Sequence, residues 1–475
     1  MSDCSEPKKN NSYDVAVIGA GSAGFSAAIT AADEGAQVAL IGHGTIGGTC
    51  VNFGCVPSKA LIRATETLHV AHSANRFRGI EASAKLTDWK ALVAQKQELV
   101  DGLRKAKYSD LLPAYNSVAY MEGKASFGQK GKLLVDGKEL SARKIIIATG
   151  TRPAVPSING IEDVPYLTST TALQLEALPE SLLVIGAGYI SAEIAQMFAR
   201  AGVKVTIVSR RGLLPESEPE ISEALTRYFK DEGITIISGV AYERIESQGN
   251  TIRLHVLVGG KPTTITAQQL LVATGRTANT ESLNLDLAGI ATNTNNSIKV
   301  DSQMRTTRDG VYAAGDVTGR DQFVYMAAYG AKIAAKNAMN GNARSYDNSI
   351  MPVVVFSDPQ VASVGLTEAQ ARSQGIQVRT SVLTLDNLPR AIAARDTRGL
   401  IKLVVESKTG RLIGAHILAP EGSDSIQTAA MAIKAGMTYQ DMASMIFPYL
   451  TTVEGLKLAA QTFDKDVKML SCCAG

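Results

Sequence analysis

The chain has 475 residues, enough for about three domains at roughly 150 residues each and for several buried cores, so a single small binding module is excluded. Lysine and arginine total 48 against 45 acidic residues, a net charge of +3, which leaves no basic field for nucleic acid or an anionic membrane surface. Hydrophobic residues make up 45% and charged residues 20%, the balance of an ordinary globular protein, and 42 glycines foretell many backbone turns.

In chain order, residues 1–11 are polar, carry Lys8 and Lys9 and lead into no apolar core with a small-residue cleavage site, so the chain is read as soluble and cytoplasmic. A β-rich run from Tyr13 then meets a turn with glycines at 19, 21 and 24 and an apolar helical stretch, and a second strand is predicted over residues 37–41. The same pattern recurs at Leu182, with Gly186 and Gly188, Ser191 at the third position, and a second strand over residues 204–208. Strand, turn, helix and strand form the parallel unit of a doubly wound nucleotide-binding domain. Residues 182–198 are the most apolar stretch, but Gly186, Gly188 and Glu193 break it, so it reads as strand, turn and helix and not as a membrane span. Ala-Thr-Gly turns close β-branched runs at Thr149-Gly150 and Thr274-Gly275. After Asn340 the texture changes to strands at 352–356, 400–405 and 412–418 and helices at 425–435 and 438–444, a third, mixed domain. The predicted class is α/β, with two doubly wound dinucleotide-binding domains and a C-terminal mixed α+β domain.

Gly19, Gly21 and Gly24 match the fingerprint in which the first glycine permits the turn, the second admits a pyrophosphate and the third lets helix pack on strand. The helix N-terminus adds amides and a positive dipole for the phosphates. One part is missing. A carboxylate for a ribose hydroxyl is expected about 20 residues on, yet the strand ends in Gly42 and His43, so the ribose must be held by another group or by water. In the second copy the strand runs into Ser209, Arg210 and Arg211, and a guanidinium suits a 2′-phosphate where a carboxylate would repel it. That site is predicted to prefer NADPH over NADH.

The chain has five cysteines, Cys4, Cys50, Cys55, Cys472 and Cys473, too few for a disulfide framework and clustered as redox or metal chemistry requires. Cys50 and Cys55 lie in the block that begins Gly47-Gly48-Thr49 and ends at Lys59. Residues five apart sit about 140° around a regular helix, so joining the sulfurs needs an irregular turn, which Gly54 permits. A helix N-terminus and Lys59 favour a thiolate there.

These motifs, with Tyr312-Ala-Ala-Gly-Asp316, resemble over nearly the whole chain the FAD-dependent pyridine nucleotide-disulfide oxidoreductases. The resemblance implies FAD-binding parts at 1–165 and 281–345, an NADPH-binding domain at 166–280 and a dimerisation domain at 346–475. It also implies that Thr49, Lys59, Thr149, Gly150 and Asp316 serve FAD, with Asp316 near the ribityl chain. Cys55 would face the flavin, Cys50 would be the exchanging thiol, and Lys59 would pair with Glu193.

The chain departs from the family's disulfide reductases near its end. They carry a histidine and a glutamate there to protonate a leaving thiolate, whereas the five histidines here are His43, His69, His72, His255 and His416. Glu454 persists, and Tyr449 stands five residues before it, in the histidine's place. A phenol of pKa about 10 is a poor proton shuttle at neutral pH, so a disulfide substrate is disfavoured. The adjacent Cys472 and Cys473 offer two soft ligands for a thiophilic cation. Together with Tyr108 these features resemble the mercury-reducing branch of the family. That resemblance implies reduction of Hg(II), delivered as a thiol complex, to Hg(0) by a homodimer. The tail cysteines of one subunit would pass the ion to Cys50 and Cys55 of the other, between Tyr108 and Tyr449. Two alternatives stay open: an NADPH-dependent disulfide reductase relaying electrons to Cys472 and Cys473, and a flavoprotein that sequesters soft metal on four thiols. Many members of the branch carry an added N-terminal metal-binding domain, which the early first strand at Tyr13 leaves no room for, and Cys4 has no assigned role.

Overall fold

The structure, a computed structural model, describes residues 12–470; Cys4, Cys472 and Cys473 lie outside the described residues. Packing divides the chain into two units. One comprises residues up to 57, 94–154 and 276–348, and the other 58–93, 155–275 and from 349 on.

In the first unit β1 (Ser12–Ile18) leads through a glycine turn into α1 (Ser22–Asp33) and on to β2 (Val38–Gly42). The short α2 (Gly48–Asn52) follows, and α3 (Cys55–His72) carries the chain out of the unit. On return, β3 (Val118–Glu122) pairs with β2, Ser141–Ile147 pairs with β1, and Val311–Ala313 completes the edge. All five strands are parallel. Both faces are covered, as parallel sheets require: Val15, Val17 and Leu40 pack under α1 and the helix Val324–Asn340, while Ala16, Ile18 and Ile41 meet Leu285, Ile290 and Ile298.

In the second unit the strands Ser181–Ile185, Lys204–Ser209, Thr235–Ser238 and Gln269–Val272 form a four-stranded parallel sheet beside a three-stranded antiparallel one, Val240–Gln248, Thr251–Val258 and Lys261–Ala267. A five-stranded antiparallel sheet that includes Leu400–Glu406 and Leu412–Ala419 carries the helices Gly422–Lys434, Tyr439–Ser444 and Glu454–Gln461 on a continuous apolar core. The predicted strands and helices are present, with ends displaced by a residue or a few, as terminal turns fray. Among the described residues no helix is long and apolar enough to cross a membrane.

Candidate functional site

The two glycine turns share one construction. Gly19 has φ of +116°, and a Cβ there would lie 2.3 Å from the carbonyl oxygen of Ala148; Gly186 has φ of +114°, and its Cβ would lie 2.3 Å from that of Ala273. Only glycine combines that backbone with that approach. Neither α1 nor the helix Tyr189–Arg200 has a side-chain cap at its N-terminus, so the first-turn amides remain available to an anion. The third position differs. A Cβ on Gly24 would sit 1.7 Å from the Gly19 carbonyl oxygen, whereas Ser191 fits and donates a hydrogen bond to the Ala273 carbonyl at 3.2 Å.

The cysteine block is built directly on the first turn. Gly47 and Gly48 both have positive φ, Gly47 bridges to Gly21, and a Cβ on Gly48 would lie 2.6 Å from the Gly21 Cα. Cys50, half-buried, is in α2; the helix breaks at Phe53 and Gly54; exposed Cys55 opens α3. The irregular turn expected between the cysteines is therefore present, and Cys55 stands at the positive end of a helix dipole that favours negative charge. Asn52 locks the segment by donating to the carbonyls of Ile46 and Gly48, both at 2.9 Å, and accepting from Arg104 at 3.1 Å.

Arg104 ends the helix Trp89–Arg104, and the next five residues, Lys105–Ser109, form a π turn. Such turns re-aim a side chain, often at a functional site. This one directs Tyr108 edge-on to Phe25, with ring centroids 4.8 Å apart, and hydrogen-bonds its hydroxyl to that of Ser22 at 3.2 Å. Burial foremost raises the Tyr108 pKa, the Ser22 hydrogen bond opposes it, and the neighbouring Cys50 and Cys55 add to the rise. Tyr108 thus shares its surroundings with both sulfurs.

Thr149 and Gly150 are tied to the chain's return into the unit: the Thr149 hydroxyl donates to the Asn279 carbonyl at 2.8 Å, and the Asn279 amide donates to the Thr149 carbonyl at 2.9 Å. Asp316 accepts from the Thr151 hydroxyl at 3.0 Å, and burial raises its pKa. Arg276, absent from the sequence reading, donates to the Thr151 hydroxyl and carbonyl, each at 2.7 Å, and lies 3.9 Å from Asp316. Burial lowers its pKa, opposed by Asp316 and Cys55. Thr49 is exposed, and its carbonyl accepts from the Phe53 amide at 2.9 Å.

In the second unit Lys59 and Glu193 form an ion pair at 2.6 Å, and Glu193 is buried, not a surface acid of its helix. Phe356, also missed by the sequence reading, holds both partners: its amide donates to Glu193 at 2.9 Å and its ring lies 4.8 Å from the Lys59 ammonium. The two arginines after the strand Lys204–Ser209 are unlike. Arg211 is paired with Glu216 at 2.7 Å. Arg210 is exposed and lies over the ring of Tyr242, 5.5 Å from its centroid. The Tyr242 hydroxyl donates at 3.1 Å to the Val208 carbonyl, which also accepts from the Gly186 amide at 3.0 Å, and burial pushes the Tyr242 pKa up to about 12. Gly188 opens the following helix with free space about it.

Glu454 is buried at the start of its helix and accepts from the Leu450 amide at 3.1 Å; burial raises its pKa. Tyr449 is exposed, as are Ile446 and Leu450. Among the described residues one cluster has the spacing of a metal site, His69, Glu232 and Asp358, but Arg200 lies 2.7 Å from both acids, so the cluster is an ion-pair network whose positive charge is supplied by the chain.

Residues 13–335 match the family model described as pyridine nucleotide-disulphide oxidoreductase, and residues 351–460 match its dimerisation domain. The chain is 47% identical over 466 residues to a mercuric reductase of Lysinibacillus sphaericus, covering 98% of this chain and 85% of that one. It is 48% identical over 471 residues to a mercuric reductase of Shigella flexneri, covering 97% and 82%. Among solved structures it is similar to the HOCl-induced flavoprotein disulfide reductase RclA from Escherichia coli, with a TM-score of 0.84 and 34% identity over 94% of this chain and 99% of that chain.

Proposed function

The chain belongs to the pyridine nucleotide-disulphide oxidoreductases, and on that premise we propose that it reduces Hg(II) to Hg(0) with NADPH, through FAD and the Cys50–Cys55 pair, as a detoxifying enzyme. Near-full-length likeness to mercuric reductases supports the substrate. The observation that carries the reading is the residue set at the cysteine block: the π turn Lys105–Ser109 lays the ring of Tyr108 against Gly47, where a Cβ would lie 3.2 Å from it, three residues before Cys50. The last histidine of the chain, His416, is buried in a β-strand.

The residues fit both cofactors. The first glycine turn, the uncapped start of α1 and the half-buried Asp316 form a cradle for FAD whose close approaches a Cβ would fill. Thr49, Lys59, Thr149, Gly150 and Asp316 would contact it, within domain parts 1–165 and 281–345. Gly186, Gly188 and Arg210 suit NADPH within 166–280, with Arg210 on the 2′-phosphate and Arg211 beside it. When bound, the two cofactors supply the pair of electrons that turns Hg(II) into the neutral atom, NADPH as source and FAD as carrier.

The chain's own groups do the rest. Cys50 and Cys55, once reduced from their disulfide, bind Hg(II) as thiolates and displace its small thiol ligands by exchange, so the ion is never released to water. Tyr108 keeps its proton at neutral pH, because its pKa lies above the ordinary tyrosine value of about 10, and its hydroxyl, held by that of Ser22 at 3.2 Å, flanks the bound ion as a neutral phenol. Lys59, neutralised and held by Glu193 and Phe356, presents a fixed ammonium. Residues 346–475 join two subunits, Tyr449 and Glu454 of one serve the other's sulfurs, and Cys472 and Cys473 of the partner receive the incoming ion. Dependence on NADPH and on small thiols as carriers of the ion supports a cytoplasmic setting for the work.

The experiment is NADPH oxidation with a Hg(II)-bis-thiol complex and, separately, with small and protein disulfides. Hg(0) formed in proportion to NADPH consumed, with slow disulfide turnover, is the expected result. Brisk disulfide turnover with none on Hg(II) would instead favour a disulfide reductase using Cys472 and Cys473, a reading the likeness to RclA keeps in play. Hg(II) retained on the protein without vapour would make it a sequestering flavoprotein.

A further inference from the structure

The first glycine turn lacks the acid that ordinarily follows it, and the structure shows what stands in its place. Strand β2 ends at Gly42, whose backbone is not left-handed, so φ does not demand glycine. Space does: a Cβ at Gly42 would lie 2.6 Å from the Tyr120 hydroxyl oxygen, 2.9 Å from the Tyr120 ring and 2.9 Å from the Cβ of Ala20. The phenol of Tyr120 occupies the room of the position-42 side chain, against the residue between Gly19 and Gly21.

Tyr120 comes from β3, which runs parallel to β2 with Leu40 opposite Tyr120 and Gly42 opposite Glu122, and the Gly123 amide donates to the Gly42 carbonyl at 2.8 Å. Residues in register on neighbouring strands share a face about 4.8 Å apart, and residues two apart on one strand share it as well. Tyr120 and Glu122 therefore stand together where the missing carboxylate of β2 would have pointed. Glu122 is exposed to solvent. Burial, and then the charge of Glu122, raises the Tyr120 pKa, so the hydroxyl keeps its proton and both gives and accepts a hydrogen bond.

We propose that Tyr120 and Glu122 of β3 replace the absent acid of β2 and bind the hydroxyls of the adenosine ribose of FAD. The proposal rests on the assignment of this turn to FAD. A ribose diol offers two donors and two acceptors; the carboxylate accepts a hydrogen bond from one hydroxyl, and the phenol bonds the other in either sense.

The test is titration of apoprotein with FAD and with FAD analogues lacking the 2′- or the 3′-hydroxyl of the adenosine ribose, followed by flavin fluorescence. Wild type should prefer FAD over at least one analogue by about tenfold, the size of a hydrogen bond to a charged group. Glu122→Gln and Tyr120→Phe should each cut that preference to about threefold or less, and the double variant should abolish it. Gly42→Glu combined with Tyr120→Ala should restore it by returning the acid to β2. Because the readout is a ratio of affinities, general weakening of FAD binding does not imitate the effect. A wild type without preference, or single variants that keep it in full, overturns the proposal. Failure of wild-type apoprotein to bind FAD at all would instead overturn the cofactor assignment beneath it.

Discussion

The two glycine turns of this chain solve one backbone problem in the same way and then diverge. At Gly19 and Gly186 the φ values and the distance to the neighbouring strand's carbonyl are nearly identical, because a parallel strand-turn-helix unit leaves no freedom there. The third position and the end of the second strand differ. At Gly24 the helix sits directly on the turn's carbonyl, while Ser191 stands far enough away to bond the Ala273 carbonyl. Past the second strand, one turn has Gly42 filled by Tyr120, and the other has Arg210 lying on Tyr242. The turn conformation is set by the glycines, and the two turns differ in the side chain gathered past the second strand, Tyr120 from a neighbouring strand in one and Arg210 from the strand's own end in the other.

Exchanging the third residues should break that comparison most severely. Gly24→Ser forces a Cβ into a carbonyl and should cost about 3 kcal/mol or more, read as loss of FAD and a much lower denaturation midpoint. Ser191→Gly should cost only about 1 kcal/mol, the worth of one neutral hydrogen bond with a small backbone-entropy term. Equal losses at the two sites would erase the proposed difference.

A smaller effect separates the arginines. Arg210→Ala should raise KM for NADPH about tenfold with little change for NADH, the loss expected of the charge-assisted contact to the 2′-phosphate proposed for it. Arg211→Ala, whose partner is Glu216, should change KM by less than about twofold, the range of an exposed ion pair. Tyr242→Leu should lower NADPH preference by about fivefold and Tyr242→Phe by less, because the ring face carries the cation-π contact. Steady-state KM for the two nucleotides measures all four variants.

The mildest effect concerns pH. Tyr108 has a raised pKa in the folded chain, so as pH rises past the ordinary tyrosine value of about 10 the unfolded chain releases a proton that the folded chain retains. Fewer protons on the unfolded state mean that stability falls with rising pH. Tyr108→Phe should remove part of that alkaline slope in denaturant titrations while leaving stability at pH 7 within about 1 kcal/mol. An unaltered slope would show that this phenol titrates normally.

Much of this was legible in the sequence because it is local. The glycine spacings, the break between Cys50 and Cys55 and the arginines after the second strand all lie within one strand-turn-helix segment, where spacing determines geometry. Glu193 sits on such a segment too, but its ion pair with Lys59 came from family resemblance and not from periodicity. Tyr120, Phe356 and Arg276 were invisible for a common reason: their partners are remote in sequence, on paired strands for Tyr120 and Arg276 and on two helices for Phe356, and a tyrosine or phenylalanine in a β-branched run looks like core until the packing is known. Tyr108 entered only through resemblance, since no sequence pattern announced the π turn that directs it. The placement of Val311–Ala313 beside Ser141–Ile147 likewise depends on a crossover that periodicity cannot reveal.

The central claim is that Hg(II) is reduced on the Cys50–Cys55 pair, and one substitution tests it most directly. NADPH-driven mercury vapour should be measured from FAD-loaded wild type and from Cys55→Ala, with the flavin spectrum recorded in parallel. Wild type should release vapour and the variant none, and the variant should keep its yellow flavin while losing the long-wavelength thiolate-to-flavin band on reduction. Undiminished vapour from Cys55→Ala would contradict it.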